Sequence, residues 1–248
     1  MSARQPALGR PRVHLRRTDS TNDRARELAA AGAPHGTLVT ADEQTAGRGR
    51  QGRRWSAPAG SALLMSLLLR PGPPDWVPPP PLLPLIAALA VADVAGDQAQ
   101  IKWPNDVVFV REHDAAAGAL AKVAGILAEG RPQEGWAVLG IGLNVAVCLD
   151  ELPRELRATA TTMGLARDAI EPTLVRLLQS LEDRLEQPAE QTLQAWRARD
   201  ALLGRRISWA SGGGRAEGVD GDGRLIVALD HGARTALEAG EVHLGGLG

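Results

Sequence analysis

Two stretches decide the fold reading: Lys122-Val123-Ala124-Gly125-Ile126-Leu127-Ala128-Glu129 and Gly140-Ile141-Gly142-Leu143-Asn144-Val145. Each is short and largely apolar, and Gly, Pro and charged turn residues flank them, so residues 123–129 and 136–145 read as successive strands. Residues 101–110 read as a strand just before them. Working outward, residues 62–69 form a continuous apolar run of strand length, expected to be buried on both faces. Residues 37–40 and 13–15 are shorter strand candidates. Asp19, Ser20 or Thr21 can cap a helix running through Ala31. Seven of the 17 prolines fall in residues 71–81, a stiff connector leading into an Ala/Leu-rich helix that ends near Ala95. Residues 171–185 and 190–203 have helical spacing, with Leu174, Leu177, Leu178, Leu181 and Leu185 on one stripe. After Gly204 the chain changes to short strands at 206–210, 215–219, 225–229 and 235–242, with an Asp222-Gly223 hairpin turn. That tail suits a small β-barrel of roughly 45 residues attached to a larger mixed domain.

The chain has 248 residues, 44% of them hydrophobic and 23% charged, with a formal net charge of -1. This is globular composition, and it argues against a bulk polyanion binder. Of the 28 basic residues 26 are Arg, leaving Lys102 and Lys122, and there are three Asn, one Phe and no Tyr. Where a solvated positive charge is all that is required, Arg and Lys exchange freely. A tight site that needs a compact ammonium does not accept the broad guanidinium fork, so the two surviving lysines are leads. The single Cys148 excludes an internal disulfide and a multi-thiolate zinc site. The Arg-rich first 17 residues carry no apolar signal core, and the longest apolar run, 82–94, is too short to span a bilayer. Cytoplasmic localisation and no membrane role are therefore expected.

Five segments could carry chemistry. Residues 47–55, Gly-Arg-Gly-Arg-Gln-Gly-Arg-Arg-Trp, put four Arg and three Gly in nine positions, so backbone N-H groups and guanidinium forks can close on a phosphate. A flexible basic linker or an Arg/Gly nucleic-acid segment is the alternative. Lys102-Trp103-Pro104-Asn105-Asp106 packs a cation, an amide and a carboxylate behind a strand, or else is a turn with an incidental ion pair. Lys122, opening an apolar strand, could neutralise a carboxylate or phosphate, or simply edge the sheet. The glycines at 140 and 142 would let another backbone approach closely. Ser20-Thr21-Asn22 offers hydroxyls and an amide at a helix start, where capping is the commoner use. Both Lys and all three Asn (Asn22, Asn105, Asn144) fall inside these segments.

Taken together and in this order, Ser-Thr-Asn, Gln-Thr-Ala-Gly-Arg-Gly-Arg-Gln-Gly-Arg, Lys-Trp-Pro-Asn-Asp, Lys-Val-Ala-Gly-Ile-Leu-Ala-Glu and Gly-Ile-Gly-Leu-Asn-Val resemble the biotin protein ligases. The resemblance runs from about residue 13 to the C-terminus. It implies an α+β fold: a mixed β-sheet packed against helices, of the class II aminoacyl-tRNA synthetase/biotin ligase type, at residues 1–204, with a small SH3-like barrel at 205–248. It implies ATP-dependent activation of biotin to biotinyl-5'-AMP, with Mg2+, and transfer to one lysine of a biotin carboxyl carrier protein. Ser20, Thr21, Asn22 and Gln44 would hold the biotin headgroup, and Gly47, Arg48, Gly49 and Arg50 would close over biotin and phosphates. Lys122 would meet the carboxylate and then the acyl-phosphate. Arg50, Arg53, Trp55, Asn105 and Asn144 would serve the nucleotide, and Asp106 would assist the acceptor lysine. Lys122, Arg48 and Asp106 are the catalytic candidates, and no dedicated protein metal site is implied. About 12 residues precede the first strand, so neither a DNA-binding winged helix nor DNA binding is expected; a monomer and a homodimer are both compatible. Gln51 stands where many members have a basic residue, which implies altered adenylate retention. The rivals are a lipoate ligase of the same fold, a cysteine-based acyl transferase using Cys148, and a non-catalytic nucleic-acid binder using Arg48, Arg50, Arg53 and Arg54.

Overall fold

The computed structural model describes residues 8–70, 80–111, 118–131, 134–238 and 242–244. Its main sheet has seven strands: β1 (Arg12–Thr18), β2 (Leu38–Gln44), β3 (Ala62–Leu69), β4 (Gln100–Lys102), β5 (Asp106–Val110), β6 (Leu120–Arg131) and β7 (Trp136–Asn144). They lie in the order β1-β2-β3-β7-β6-β5-β4. β1 and β2 are parallel, joined through α1 (Thr21–Ala30), and the other neighbours are antiparallel. A parallel pair needs a crossover, which is why a helix separates β1 from β2 while β6 follows β5 and β7 follows β6 directly.

Side-chain alternation divides the sheet into two faces. Leu63, Met65, Leu67 and Leu69 of β3 and Leu139, Ile141 and Leu143 of β7 join the main core, against α2 (Leu83–Ala95) and α4 (Ile170–Leu185). α2 is apolar around nearly its whole circumference and is correspondingly buried on all sides. The expected leucine stripe of α4 is buried throughout. On the other face Leu68 and Val138 pack against Ala25 and Ala29 of α1. Ala62 and Leu64 pack against Val147 and Leu152, leading into the short α3 (Arg154–Arg157). Between these two minor clusters the same face carries Ser66, Gly140 and Gly142, and there the site forms.

Three sequence expectations change. Residues 101–110 are two strands, β4 and β5, because Trp103-Pro104-Asn105 makes a turn between them. The helix expected at 190–203 is α5 (Ala189–Arg197) and stops there, since the backbone of Arg199 and Ala201 pairs with Ile101 at the sheet edge. The strand expected at 235–242 is instead β11 (Arg234–Leu237), with β12 (His243–Leu244) separate. The Pro-rich connector lies outside the described residues over 71–79, as do 239–241.

β8 (Arg206–Trp209), β9 (Gly212–Val219), β10 (Leu225–Leu229), β11 and β12 form an antiparallel five-stranded sheet ordered β11-β10-β9-β8-β12. This is the small β unit expected after Gly204. Ile207, Ala216, Val219, Leu225 and Val227 continue the main core rather than forming one of their own. Gly223, with φ +78, sits where a Cβ would lie 2.9 Å from Leu82 and Leu85 at the N-terminal end of α2. The Trp103 indole N-H donates to its carbonyl at 3.0 Å.

Candidate active site

The site begins at the N-terminus of α1. Ser20 occupies the cap position in extended conformation, yet its side chain makes no capping bond; the Asp19 carboxylate accepts the Ser20 N-H instead, at 2.7 Å. That bond, with a second from the Thr18 hydroxyl, holds the Asp19 carboxyl below its ordinary value of 3.8. The Ser20 hydroxyl is thus not used as the cap the sequence suggested. Gln44, at the end of β2, accepts both the N-H of Thr21 (2.7 Å) and its hydroxyl (3.0 Å). Ser66 reaches up from β3 with its Oγ 2.8 Å from Thr21 Oγ1 and 2.6 Å from Asn22 Oδ1. The Asn22 amide nitrogen donates to Glu129 Oε2 at 2.9 Å. Sequence reasoning missed Ser66, which is fully buried and looks like any small residue in an apolar run.

Glycines make room for this cluster. A Cβ on Gly140 would lie 2.1 Å from Asn22 Oδ1, and one on Gly142 would lie 2.5 Å from the Trp55 indole. A Cβ on Gly125, which pairs with Gly142 across β6 and β7, would lie 3.1 Å from Trp55 and 2.9 Å from Lys122 Nζ. The close approach expected at 140 and 142 is therefore made by two side chains rather than by a backbone.

The basic segment 47–55 is a tight hairpin. Trp55 N-H donates to the Gly47 carbonyl (2.9 Å) and Gly49 N-H to the Arg53 carbonyl (2.8 Å), with Gln51 at the tip in the left-handed region at φ 54. Gly47 is obligatory there, because a Cβ would lie 2.5 Å from the Trp55 carbonyl oxygen. Trp55 returns over the sheet, with its indole N-H buried and without a hydrogen-bond partner among the described residues.

A bulge places the key lysine. β5 and β6 pair Asp106 with Gly125 and Val107 with Ala124, then skip Val123 to pair Val108 with Lys122. In a regular strand Lys122 and Gly125 would face opposite ways; the extra residue turns both to the same side. Lys122 Nζ comes within 2.6 Å of Asp106 Oδ1 as an ion pair, and 5.6 Å from the Trp55 ring centre. Beyond Ala124 the backbone of Lys122 pairs with Thr159 and Thr161, which opens the sheet beside Asn144. Asn144 Nδ2 donates to the Thr161 carbonyl at 2.8 Å, while its Oδ1 is buried without a partner among the described residues.

Asn105 mimics a strand residue: its carbonyl accepts the Ile126 N-H (2.9 Å) and its amide donates to the Ile126 carbonyl (2.8 Å). Its Oδ1 accepts from Arg50 at 3.2 Å. Burial lowers the Arg50 guanidinium from its usual value, with Asp106 opposing. Burial also lowers Lys102, whose register partner across the β4-β5 turn is Asp106.

A cleft of about 600 Å³ is lined by Ser20, Thr21, Asn22, Gln44, Arg48, Gly49, Arg50, Arg53, Trp55, Asn105, Asp106, Lys122 and Asn144, a volume that suits a small-molecule site. Gly47 lies at the base of the hairpin, paired with Trp55, rather than on the cleft wall. Arg48, expected beside phosphate, instead directs its guanidinium to Asp23 (2.6 Å) and Glu129 (2.9 Å), to neither of which the sequence assigns a role, although Glu129 closes one of the quoted motifs. Val242, His243 and Leu244 of the small sheet reach the same cleft. Among the described residues no group of three or more His, Cys, Asp or Glu could hold a metal ion. Among them, too, no helix is long and apolar enough to cross a membrane.

Residues 14–145 match the sequence model of the biotin/lipoate A/B protein ligase family. The biotin--[acetyl-CoA-carboxylase] ligase of Paracoccus denitrificans is 36% identical over 253 residues, covering 94% of this chain and 100% of that protein. The bifunctional ligase/repressor BirA of Bacillus spizizenii is 40% identical over 166 residues, 64% of this chain, and the chain matches only about half of that protein's length, 48%. The biotin protein ligase of Aquifex aeolicus, solved in complex with biotin and ATP, superposes with a TM-score of 0.77 at 27% identity, over 95% of this chain and 99% of that one. With a family match across more than half of its length and a 36%-identical relative covered end to end, the chain belongs to the biotin/lipoate A/B protein ligase family.

Proposed function

We propose that the chain activates biotin with ATP to biotinyl-5'-AMP and transfers the biotinyl group to a lysine of a carboxylase's biotin carrier domain. The observation that carries this reading is the convergence, in one cleft, of the buried Ser20, Thr21 and Asn22 and the half-buried Gln44 with Lys122, Arg50, Asn105 and Asp106. The names of the Paracoccus and Aquifex relatives support biotin as the acid and ATP as the activator.

In the first step a carboxylate oxygen of biotin attacks the α-phosphorus, and the bond to the bridging oxygen breaks, so that pyrophosphate leaves with the electron pair. Two anions meet, so cations must screen them as charge develops on the phosphoryl oxygens. In this reading Lys122 and Arg50 supply that screening, with Arg53 on the phosphates. Trp55, Asn105 and Asn144 serve the nucleotide, the last two through amides already oriented by Ile126 and Thr161. Mg2+ would enter with the nucleotide, held by phosphate and water oxygens, its usual mode. In the second step the acceptor amine attacks the acyl carbon, the acyl-phosphate C-O bond breaks and AMP leaves. Asp106, beside Lys122, takes the proton lost by the amine. The 47–55 hairpin keeps water from the adenylate.

In the same reading residues 1–204 form the catalytic unit and 205–248 a β module on its rim, the enzyme works in the cytoplasm, and binding DNA is no part of its activity. Biotin-dependent exchange of pyrophosphate into ATP, followed by labelling of a carrier domain, tests it. Exchange with lipoate but not biotin would assign the lipoate branch of the family. No exchange, with binding to nucleic acid that weakens steeply with salt, would replace the enzyme reading.

A further inference from the structure

We infer that Asp23 and Glu129 form a carboxylate clasp that takes the Arg48 guanidinium and holds the 47–55 hairpin shut over the cleft. Arg48 Nη1 donates to Asp23 Oδ1 at 2.6 Å, and Nη2 donates to Glu129 Oε1 at 2.9 Å. Glu129 divides its two oxygens: Oε1 faces the hairpin, and Oε2 accepts from Asn22 at 2.9 Å. One carboxylate thus joins the lid to the residue placed at the biotin headgroup. Arg26 of α1 pairs with both acids, balancing the cluster at two positive and two negative charges.

The clasp is partly sheltered, with side-chain exposures of 37% for Arg48, 28% for Asp23 and 22% for Glu129. It therefore retains more of its electrostatic strength than an open surface pair. The Asp23 hydrogen bond also raises the Arg48 guanidinium further above its usual value. A phosphate approaching Arg48 would meet two carboxylates already seated on it. Arg48 therefore acts on the reaction through the hairpin, and Asp23 and Glu129 are positioning residues.

The clasp itself is read without reference to chemistry, by limited trypsin cleavage of the ligand-free full chain at Arg50, Arg53 and Arg54. Glu129→Gln and Asp23→Asn should each speed cleavage there roughly five- to tenfold, the order expected for a charge-assisted hydrogen bond that is partly solvated. Arg48→Gln should do the same at the remaining arginines, and the Arg48→Gln, Glu129→Gln pair should cleave no faster than Arg48→Gln alone. Asp23→Asn leaves the Asn22 bond to Glu129 in place, so it serves if Glu129→Gln fails to fold by thermal melting. Wild-type cleavage rates in the folded variants, or effects that multiply in the double variant, would overturn the clasp.

A second readout rests on the proposed function: pyrophosphate released per biotin attached to a carrier domain. It should rise severalfold in Glu129→Gln and Asp23→Asn, because an open hairpin loses adenylate to water, and an unchanged ratio would overturn the clasp's part in the reaction. Absence of biotin-dependent exchange in the wild type would sink the function, while the cleavage rates would still decide the clasp.

Discussion

Replacing Gly140 by Ala tests whether the glycines of β7 exist to admit the headgroup residues. The added Cβ would lie 2.1 Å from Asn22 Oδ1, 2.8 Å from Cγ and 3.0 Å from Nδ2. Unstrained carbon contacts need about 3.5–4.0 Å, so Asn22 must retreat by more than about 1 Å. It cannot do so freely. Its oxygen accepts from Ser66 at 2.6 Å and its nitrogen donates to Glu129 at 2.9 Å, and moving the amide breaks both. A neutral bond contributes about 1 kcal/mol and one to a carboxylate about 1.5–3 kcal/mol. Loss of glycine's freedom in the unfolded chain returns about 0.4–1 kcal/mol. The net loss of about 2–3 kcal/mol is one of folding stability, and if Asn22 holds the biotin headgroup its displacement should also raise the biotin KM by roughly tenfold or more, the loss of about one hydrogen bond to substrate. The ATP KM, which depends on groups several residues away, should stay within threefold. Pyrophosphate exchange measured against each substrate, alongside a thermal melt to confirm folding, gives both numbers. A folded Gly140→Ala enzyme with a biotin KM within threefold of wild type would refute the reasoning.

Lys122→Arg should lower adenylate formation about a hundredfold in exchange assays. Lys122 Nζ sits 2.6 Å from Asp106 and 5.6 Å from the Trp55 ring centre, a placement for a compact ammonium that a broader planar fork does not reproduce. Turnover within threefold of wild type would reject the compact-cation argument. Asp200 is raised from 3.8 to about 6, mainly by burial, with backbone N-H groups of Leu202 and Leu203 opposing. Below 3.8 both folded and unfolded forms are protonated and the group contributes nothing. As pH rises toward 6 the unfolded chain ionises first, so stability falls by up to about 3 kcal/mol and the loss is complete above that value. Denaturant unfolding of wild type and Asp200→Asn should therefore differ by about 2–3 kcal/mol more at pH 7 than at pH 4 in favour of the variant; a constant difference would contradict it. Cys148 is exposed and outside the cleft, so Cys148→Ser should retain full exchange activity, and a large loss would revive a thiol mechanism.

The strands and the helical stripe were legible in the sequence because they depend on local periodicity. The 62–69 run is buried at every position, as a continuous apolar strand must be. What escaped was set by pairing between distant segments. Nothing in residues 190–203 announces that Arg199 and Ala201 will give their backbone to Ile101, so helical spacing alone predicts a helix that is too long. The bulge at Val123 is equally invisible, yet without it Lys122 would fall opposite Phe109 and turn to the core face.

Rare residue types found the cleft: both lysines and all three asparagines line it. The same filter could not find Asp23 and Glu129, since carboxylates are abundant in this chain and one among 29 carries no signal. Nor could it tell that Arg48 and Arg50, two residues apart in one motif, have different partners. Extended geometry ends at Gly49 and a single 3-10 turn begins at Arg50, so Arg48 reaches the acids of α1 and β6 while Arg50 lies half-buried against Asn105. A motif rich in one residue type gives the charge that a site can call upon; which of its members meet substrate depends on which of them the rest of the fold has already neutralised.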